Sequence, residues 1–389
     1  MPRRPNRALL LTVPTLVGTV LALSACGGSE TAGGAGGGGT VETVDAGAPA
    51  LTVISTDTEC TPSVASVTAG TVVVRTTSKT TEATELYVER PDGSVVAERA
   101  NVEPGDSEDM VVEMPPGDYV LRCKPGKTGQ GITASVTAAG GTTAASDPRL
   151  VQAAKDYRAY VLAGAKDSLA KTEQLSAAIT AGDAAKAKAL YAPSREGWES
   201  LEPVAESFGD LDPKVDLREA DLEPGQKWTG WHVIEKQLFT TGTTTGLEPV
   251  AADLLANLKV LVERVPDAQI SAVSMANGAK ELLDEVATGK ITGEEEIFSH
   301  TDLDDFQANL DGARTAFELI EPVAAERDAA LVDTLTTRFA AVQTELDRFA
   351  KGEGFVSYDT VGDADRKKLA DVVDALAEPL SRLAASVAS

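Results

Sequence analysis

Histidine, cysteine, aromatic side chains and positive charge are all scarce in this 389-residue chain. It has two histidines, three cysteines and only 4% aromatic residues. Two histidines exclude any site that needs three, such as a His₃ zinc centre. Thirty-five Lys and Arg stand against 60 Asp and Glu, for a net charge of −25. That balance excludes a nucleic-acid binder, whose surface must neutralise phosphates. The 42% hydrophobic content excludes a largely disordered chain. The length allows two or three domains. Whatever chemistry occurs here must be carried mainly by carboxylates.

The first segment reads as an export signal over residues 1–25. Arg3, Arg4 and Arg7 precede an apolar run from Ala8 to Ala22, which closes in Leu23-Ser24-Ala25-Cys26. This is the pattern of a bacterial lipobox, with lipidation on Cys26. The alternative is a plain membrane anchor, but the run is short and ends in small residues. The chain is therefore expected outside the cytoplasmic membrane, held to its outer face by lipid. Residues 26–49 are Gly-rich and read as a flexible tether.

Residues 50–138 read as a small all-β sandwich. Short β-branched runs are expected as strands at Val64–Val67, Thr71–Thr76, Glu85–Val88, Ser94–Ala97, Met110–Glu113, Asp118–Cys123 and Ile132–Thr137. Pro- and Gly-rich turns separate them. The stretch from Pro116 to Lys127 resembles the last strand and metal loop of a cupredoxin. In that fold a His follows the Pro-Gly, and here the place is taken by Lys127. This region has no histidine, so a blue-copper centre with two imidazoles is excluded. Cys60 and Cys123 are left with two readings. One is a disulfide, favoured by an oxidising compartment. The other is a Cys/Glu metal site involving acids such as Glu82 and Glu85.

A weak linker over 139–147 leads to an all-helical region, residues 148–389. Asp147-Pro148 is a cap followed by a first-turn proline. Helices are expected at 148–180, from 183 to about 208, and at 226–239, 247–264, 270–288, 302–325, 328–350 and 363–387. The run Arg195–Ala205 resembles Arg314–Ala324 at an offset of 119 residues, with Arg, Glu, Glu, Pro, Val and Ala coinciding. Such a repeat predicts two pseudo-repeated four-helix bundles. The acidity is concentrated in this part. Residues 50–140 carry 13 acids and seven bases, residues 141–389 carry 44 and 25.

Three constellations could carry chemistry. His232 and Glu235 stand at i and i+3, on one side of a helix, where an imidazole and a carboxylate can share a metal ion. Glu199 and Glu202 have the same spacing, and Pro203 interrupts the helix directly after them. The third is the run Gly293 to Asp305, in which Glu294, Glu295 and Glu296 precede His300. Each alone is most often a wet helix face or a polar loop. Together they place both histidines beside carboxylates. Oxygen ligands with one imidazole suit Fe, Mn or Zn. A bound cation would also relieve the mutual repulsion of the acids.

These residues combine into a recognisable pattern. A lipobox, a cupredoxin-like domain without its histidines, and a helical domain carrying Gly230-Trp231-His232-Val233-Ile234-Glu235 resemble the EfeO-type iron-uptake lipoproteins. The C-terminal part of those proteins is an imelysin-like domain. The resemblance also covers Tyr191–Phe208 and the Ser299-His300-Thr301-Asp302-Leu303 core. It implies an extracytoplasmic component of an iron uptake system that binds iron, with copper or zinc as further metals. It implies two partners, a membrane iron permease and a haem peroxidase-type protein, and no enzyme beyond a ferroxidase-like redox step in the β domain. Carried over by position, the helical-domain ligands are Glu199, Glu202, Asp216, His232, Glu235 and one acid of the 294–296 cluster, with Glu295 preferred. Those of the β domain are Cys60, Glu85 and Cys123. Two other classes compete: an imelysin-type zinc metallopeptidase, which here lacks a second zinc histidine within reach, and a protein that binds acidic polysaccharide through a metal bridge.

Overall fold

The computed structural model describes residues 50–140, 147–352 and 354–388. The export signal, Cys26 and the Gly-rich segment lie outside the described residues.

Alternating burial builds the first part. Nine strands run in order: β1 (Leu51–Ser55), β2 (Cys60–Pro62), β3 (Ser66–Thr68), β4 (Gly70–Ser78), β5 (Thr84–Glu89), β6 (Val95–Val102), β7 (Ser107–Met114), β8 (Gly117–Pro125) and β9 (Ile132–Ala139). They form two facing sheets, β2-β1-β4-β7 and β3-β9-β8-β5-β6. Pairs β1/β4 and β3/β9 are parallel and the rest antiparallel. Val72 and Val74 of β4 and Tyr119, Leu121 and Cys123 of β8 point inward on alternate positions and close the sandwich core. The sequence reading missed β1 and β2. β2 is only three residues long, too short for a period-2 pattern to show.

β5 departs from simple alternation, because all six of its residues are buried. Leu86 and Val88 face the sandwich core. Its other face, with Glu85 and Tyr87, turns toward the helical region and lines a cavity shared with it.

The helices are α1 (Pro148–Thr180), α2 (Ala184–Glu199), α3 (Asp212–Val215), α4 (Trp231–Thr241), α5 (Glu248–Arg264), α6 (Ala272–Thr288), α7 (Asp302–Arg327), α8 (Ala329–Leu346), α9 (Asp363–Leu380) and α10 (Leu383–Val387). Side-chain caps start α1, α2, α6 and α8. Asp147, Asp183, Ser271 and Asp328 each accept a first-turn backbone N–H. Helices α1, α2, α4 and α5 pack together, as do α6, α7, α8 and α9, and α7 lies against α1 and α2 at the seam. This is the two-group arrangement that the 119-residue repeat predicts.

The two repeat copies differ at their proline. Pro322 is accommodated within α7. At Pro203 the chain has already left α2 and runs as 3₁₀ turns over Glu202–Leu211. The expected helix to Phe208 therefore ends at Glu199.

One close crossing sets the start of the site. A Cβ on Gly197 would lie 2.2 Å from the Gly164 carbonyl oxygen, so α1 and α2 approach as only glycine allows.

Helix α6 joins the two parts. Its Asn277 Nδ2 donates to the Val111 carbonyl at 2.7 Å, and its Glu281 pairs with Arg99 of β6 at 2.7 Å. Among the described residues no helix is long and apolar enough to cross a membrane.

Candidate metal centre

Five parts of the chain supply the polar cluster at the centre of the helical region: the end of α2 with the turn after it, the turn at Asp216, α4, the 290–296 loop and α7. The last turn of α2 carries Arg195 and Glu199, and the 3₁₀ turn after it carries Glu202. Asp216 sits just past α3, its backbone N–H bonded back to Asp212. Gly230 then reverses the chain with φ 91°, and a Cβ there would strike the Val215 carbonyl at 2.1 Å. Only glycine fits, and the result is that α4 starts beside Asp216. His232 and Glu235 follow on one face of α4. The loop before α7 adds Lys290, Glu295 and Glu296, and α7 adds Asp305 and Asn309.

His232 stands between carboxylates and is 2% exposed. Its Nδ1 lies 3.1 Å from Glu235 Oε2. Its Nε2 has no hydrogen-bond partner and faces Asp216 Oδ1 at 3.3 Å and Glu295 Oε1 at 4.0 Å. Burial opposes the imidazolium, but Asp216 and Glu235 outweigh it and push the His232 pKa up to about 10. A cation binding at Nε2 must therefore displace a proton.

The carboxylates are oriented by the protein around them. Trp198 Nε1 donates to Asp216 Oδ2 at 2.6 Å, and the backbone N–H groups of Phe298 and Ser299 both donate to Glu235 Oε1 at 2.8 Å. Tyr191 OH donates to Glu296 at 3.0 Å. Asn309 Nδ2 donates to Glu199 Oε2 at 3.0 Å and to Glu202 Oε2 at 2.6 Å. Donors fixed in this way hold the carboxylates in place, as outer-sphere partners do at metal sites.

Three groups of side chains bring their ligand atoms within 4.8 Å of one another. They are Asp216/His232/Glu295, His232/Glu235/Glu296, and Glu199/Glu202/Asp216/Glu295. All six helical-domain residues singled out by sequence thus meet in one buried place. Glu295 rather than Glu294 faces it; Glu294 turns outward to pair with Arg218.

Two cations that the sequence reading did not select share the cluster. Arg195, fully buried, donates to Glu199 and Asp216, and reaches Glu296 at 2.9 Å and Asp305 at 3.3 Å. Its guanidinium also lies over the Trp231 ring at 5.7 Å. The Lys290 ammonium is 2.9 Å from Glu202, 3.3 Å from Glu199 and 3.6 Å from Glu295. Charge balance is still incomplete. Burial holds Glu202, Glu296 and Asp305 well above the usual carboxylate range, and the neighbouring acids add to it. Asp216 is held below that range, because Arg195 and His232 outweigh its burial.

Arg195 had a signal in the sequence, since it opens the first repeat copy. Glu296, Asp305 and Asn309 belonged to the acidic stretch or its immediate sequel. Lys290 had none.

The β-domain residues behave differently. Cys60 and Cys123 form a disulfide that staples β2 to β8 across the sandwich. A bridged pair offers no thiolate, so in this form neither cysteine is a metal ligand. Glu85 is not beside them. Cys123 pairs with Leu86 and Lys124 with Glu85. Side chains alternate along a strand, so Glu85 and Cys123 face opposite sides of the sheet. Glu85 accepts from Tyr87 OH at 2.9 Å and looks into the shared cavity. His300, the other histidine, uses its backbone: its N–H bonds Glu296 and its carbonyl accepts from Tyr358.

That cavity, of about 580 Å³, lies between the sandwich and the helices. Glu202, Asp216 and Glu295 reach its wall, so the buried cluster opens into it. Across it stand Glu85, Glu98 and Lys124 of the sandwich.

The model of the imelysin family matches residues 153–383, nearly the whole of the helical domain. Relatives named iron uptake system component EfeO, from Escherichia coli strain K12 and from Shigella flexneri, are 36% identical over 340 residues. Those matches cover 86% of this chain and 90% of theirs. A solved structure, of an iron-regulated protein A precursor from Parabacteroides distasonis ATCC 8503, is 16% identical with a TM-score of 0.46, covering 62% of this chain and 95% of that one. The chain belongs to the imelysin family and, within it, to the EfeO group.

Proposed function

We propose that this protein is the cation-capturing component of an iron uptake system, and that iron is its cargo. The observation that carries the reading is the convergence of His232 with Glu199, Glu202, Asp216, Glu235 and Glu295 in one buried cluster that opens to a cavity. The names of the relatives give the same direction. Carboxylates with a single imidazole suit a hard ion such as Fe³⁺. Iron needs no copper or zinc beside it in this scheme. The lipid on Cys26 holds the protein at the outer face of the membrane, where a permease receives the ion and a haem peroxidase-type protein works alongside.

In this reading the sandwich is a wall of the entry cavity rather than a redox centre, because its two cysteines are bridged. A zinc peptidase is the weaker reading. The cluster contains one imidazole, and both of its nitrogens face carboxylates.

The test is metal binding by protein prepared free of metal. With His232 and Glu235 both changed to Ala, the iron retained after dialysis should fall by about tenfold or more, the scale on which loss of a ligand or its support weakens metal sites. If the double variant keeps wild-type iron, the helical site is not where iron binds. Cleavage of a peptide by zinc-loaded protein would favour the peptidase instead.

A further inference from the structure

Lys290 is the second buried cation of the cluster. It lies on a short 3₁₀ turn, Lys290–Thr292, directly after α6, and is 1% exposed. Its ammonium reaches Glu199, Glu202 and Glu295 at 2.9–3.6 Å. Those three acids, with Asp216, are the four whose oxygens lie within 4.8 Å of one another. The ammonium thus sits against the oxygen cage that a metal ion would use. We propose that Lys290 is a built-in surrogate cation, which an incoming metal ion displaces and which returns when the ion leaves. The proposal rests on the reading of this cluster as the iron site.

The two buried cations of the cluster differ in the way this role demands. Arg195 is a planar fork, fully buried and engaged by carboxylates and by the Trp231 face. Such a group is built into the core. Lys290 is a point charge on a flexible stem, and two of its partners, Glu202 and Glu295, line the open cavity. Glu285, one turn back on α6, lines the same cavity and feels the Lys290 charge. It gives the displaced ammonium somewhere to go.

Exchange of charges then sets how strongly an ion must be attracted before it can enter. Replacing one ammonium by Na⁺ or K⁺ adds no charge to the cage, while a divalent ion adds one and a trivalent ion two. The attraction scales with charge and is strong where water is excluded. Lys290 therefore sets a threshold that weakly attracted monovalent ions do not pass, while the order among the ions that do displace it comes from the carboxylates, whose attraction grows with ion charge. On release, the returning ammonium spares the carboxylates from being left bare.

Two variants and one label test this, using the metal-free full chain and Mn²⁺ and ferric citrate as probes. Lys290→Met should bind Mn²⁺ about tenfold more tightly than wild type and become sensitive to added Na⁺. Lys290→Arg should bind both probes more weakly, because a forked cation holds carboxylates in pairs and leaves reluctantly. Pulsed reductive methylation read by mass spectrometry should find Lys290 protected without metal and reactive after loading. A purely structural lysine would stay protected in both states. Unchanged protection, or a folded Lys290→Met that binds more weakly than wild type, overturns the proposal. If Lys290→Met does not fold, the Arg variant and the label decide. If wild type binds neither probe, the site reading itself falls. If wild type binds but these responses fail, only the role of Lys290 falls.

Discussion

Arg99 of β6 holds Glu281 of α6 at 2.7 Å, and both side chains are withdrawn from solvent at the joint between sandwich and helices. The Ala100 backbone N–H donates to the other Glu281 oxygen at 3.2 Å. Removing Arg99 leaves buried Glu281 with only the more distant Lys280 ammonium at 3.6 Å, a loss on the scale of about 3 kcal/mol for breaking a buried pair. Arg99→Met should therefore destabilise the protein strongly, while Arg99→Met with Glu281→Met should recover much of the loss. Chemical denaturation of the four proteins of this cycle measures the coupling. A coupling near zero would show that the joint is held elsewhere, for instance by Asn277 and Val111.

Arg195 gives a second test. It is the cation on which Glu199, Asp216, Glu296 and Asp305 converge. Arg195→Met should cost the metal-free protein about 3–5 kcal/mol at neutral pH. Saturating metal should return part of that stability, since an ion supplies the missing charge. Thermal melts with and without Mn²⁺ read both effects. Equal melting of variant and wild type would mean that the carboxylates do not depend on this guanidinium.

The pH dependence follows from Glu206, which lines the cavity away from the proposed ligands. Burial raises its pKa to about 7, with Glu85 and Glu285 adding to the effect and Lys124 opposing it. The folded state therefore keeps a proton that the unfolded chain has released. Its contribution to stability is fully present below about pH 4.5 and is lost as pH rises through about 7. Glu206→Gln cannot ionise. It should melt several degrees above wild type at pH 8 and match it at pH 4.5, in calorimetry without metal. A variant that gains nothing at pH 8 contradicts the assignment.

The disulfide supplies the fourth prediction. Cys60 and Cys123 close a loop of 63 residues, and a loop of that length is worth about 4 kcal/mol in the chain-entropy account. Changing both to Ser should lower the melting temperature and leave the number of iron ions bound unchanged. Loss of a bound ion would restore the cysteines as ligands.

What sequence could reveal depended on whether partners were near in the chain. His232 with Glu235, and Glu199 with Glu202, stand one helical turn apart, so their shared face was legible from spacing alone. Two helix starts were legible for the same reason, because Asp147 and Asp183 cap within three residues. Contacts such as Arg195–Asp305 and Lys290–Glu202 span 110 and 88 residues, and spacing says nothing about them. The Cys60/Glu85/Cys123 grouping failed on a related point. Which face Glu85 shares with Cys123 depends on the register between β5 and β8, and only the folded sheet sets that register. The same motif with its proline ended one helix at Glu199 and continued another through Pro322, so local sequence did not decide there either.

The cluster is assembled from α2, the turn at Asp216, α4, the 290–296 loop and α7, and no two consecutive elements contain it. A chain that has formed only its local helices has the His232–Glu235 pair but no enclosing set of oxygens. On the proposed reading, metal choice is therefore made by the finished protein and not by the emerging chain. An ion met during folding, at a concentration or identity the mature site would refuse, finds nothing complete enough to trap it.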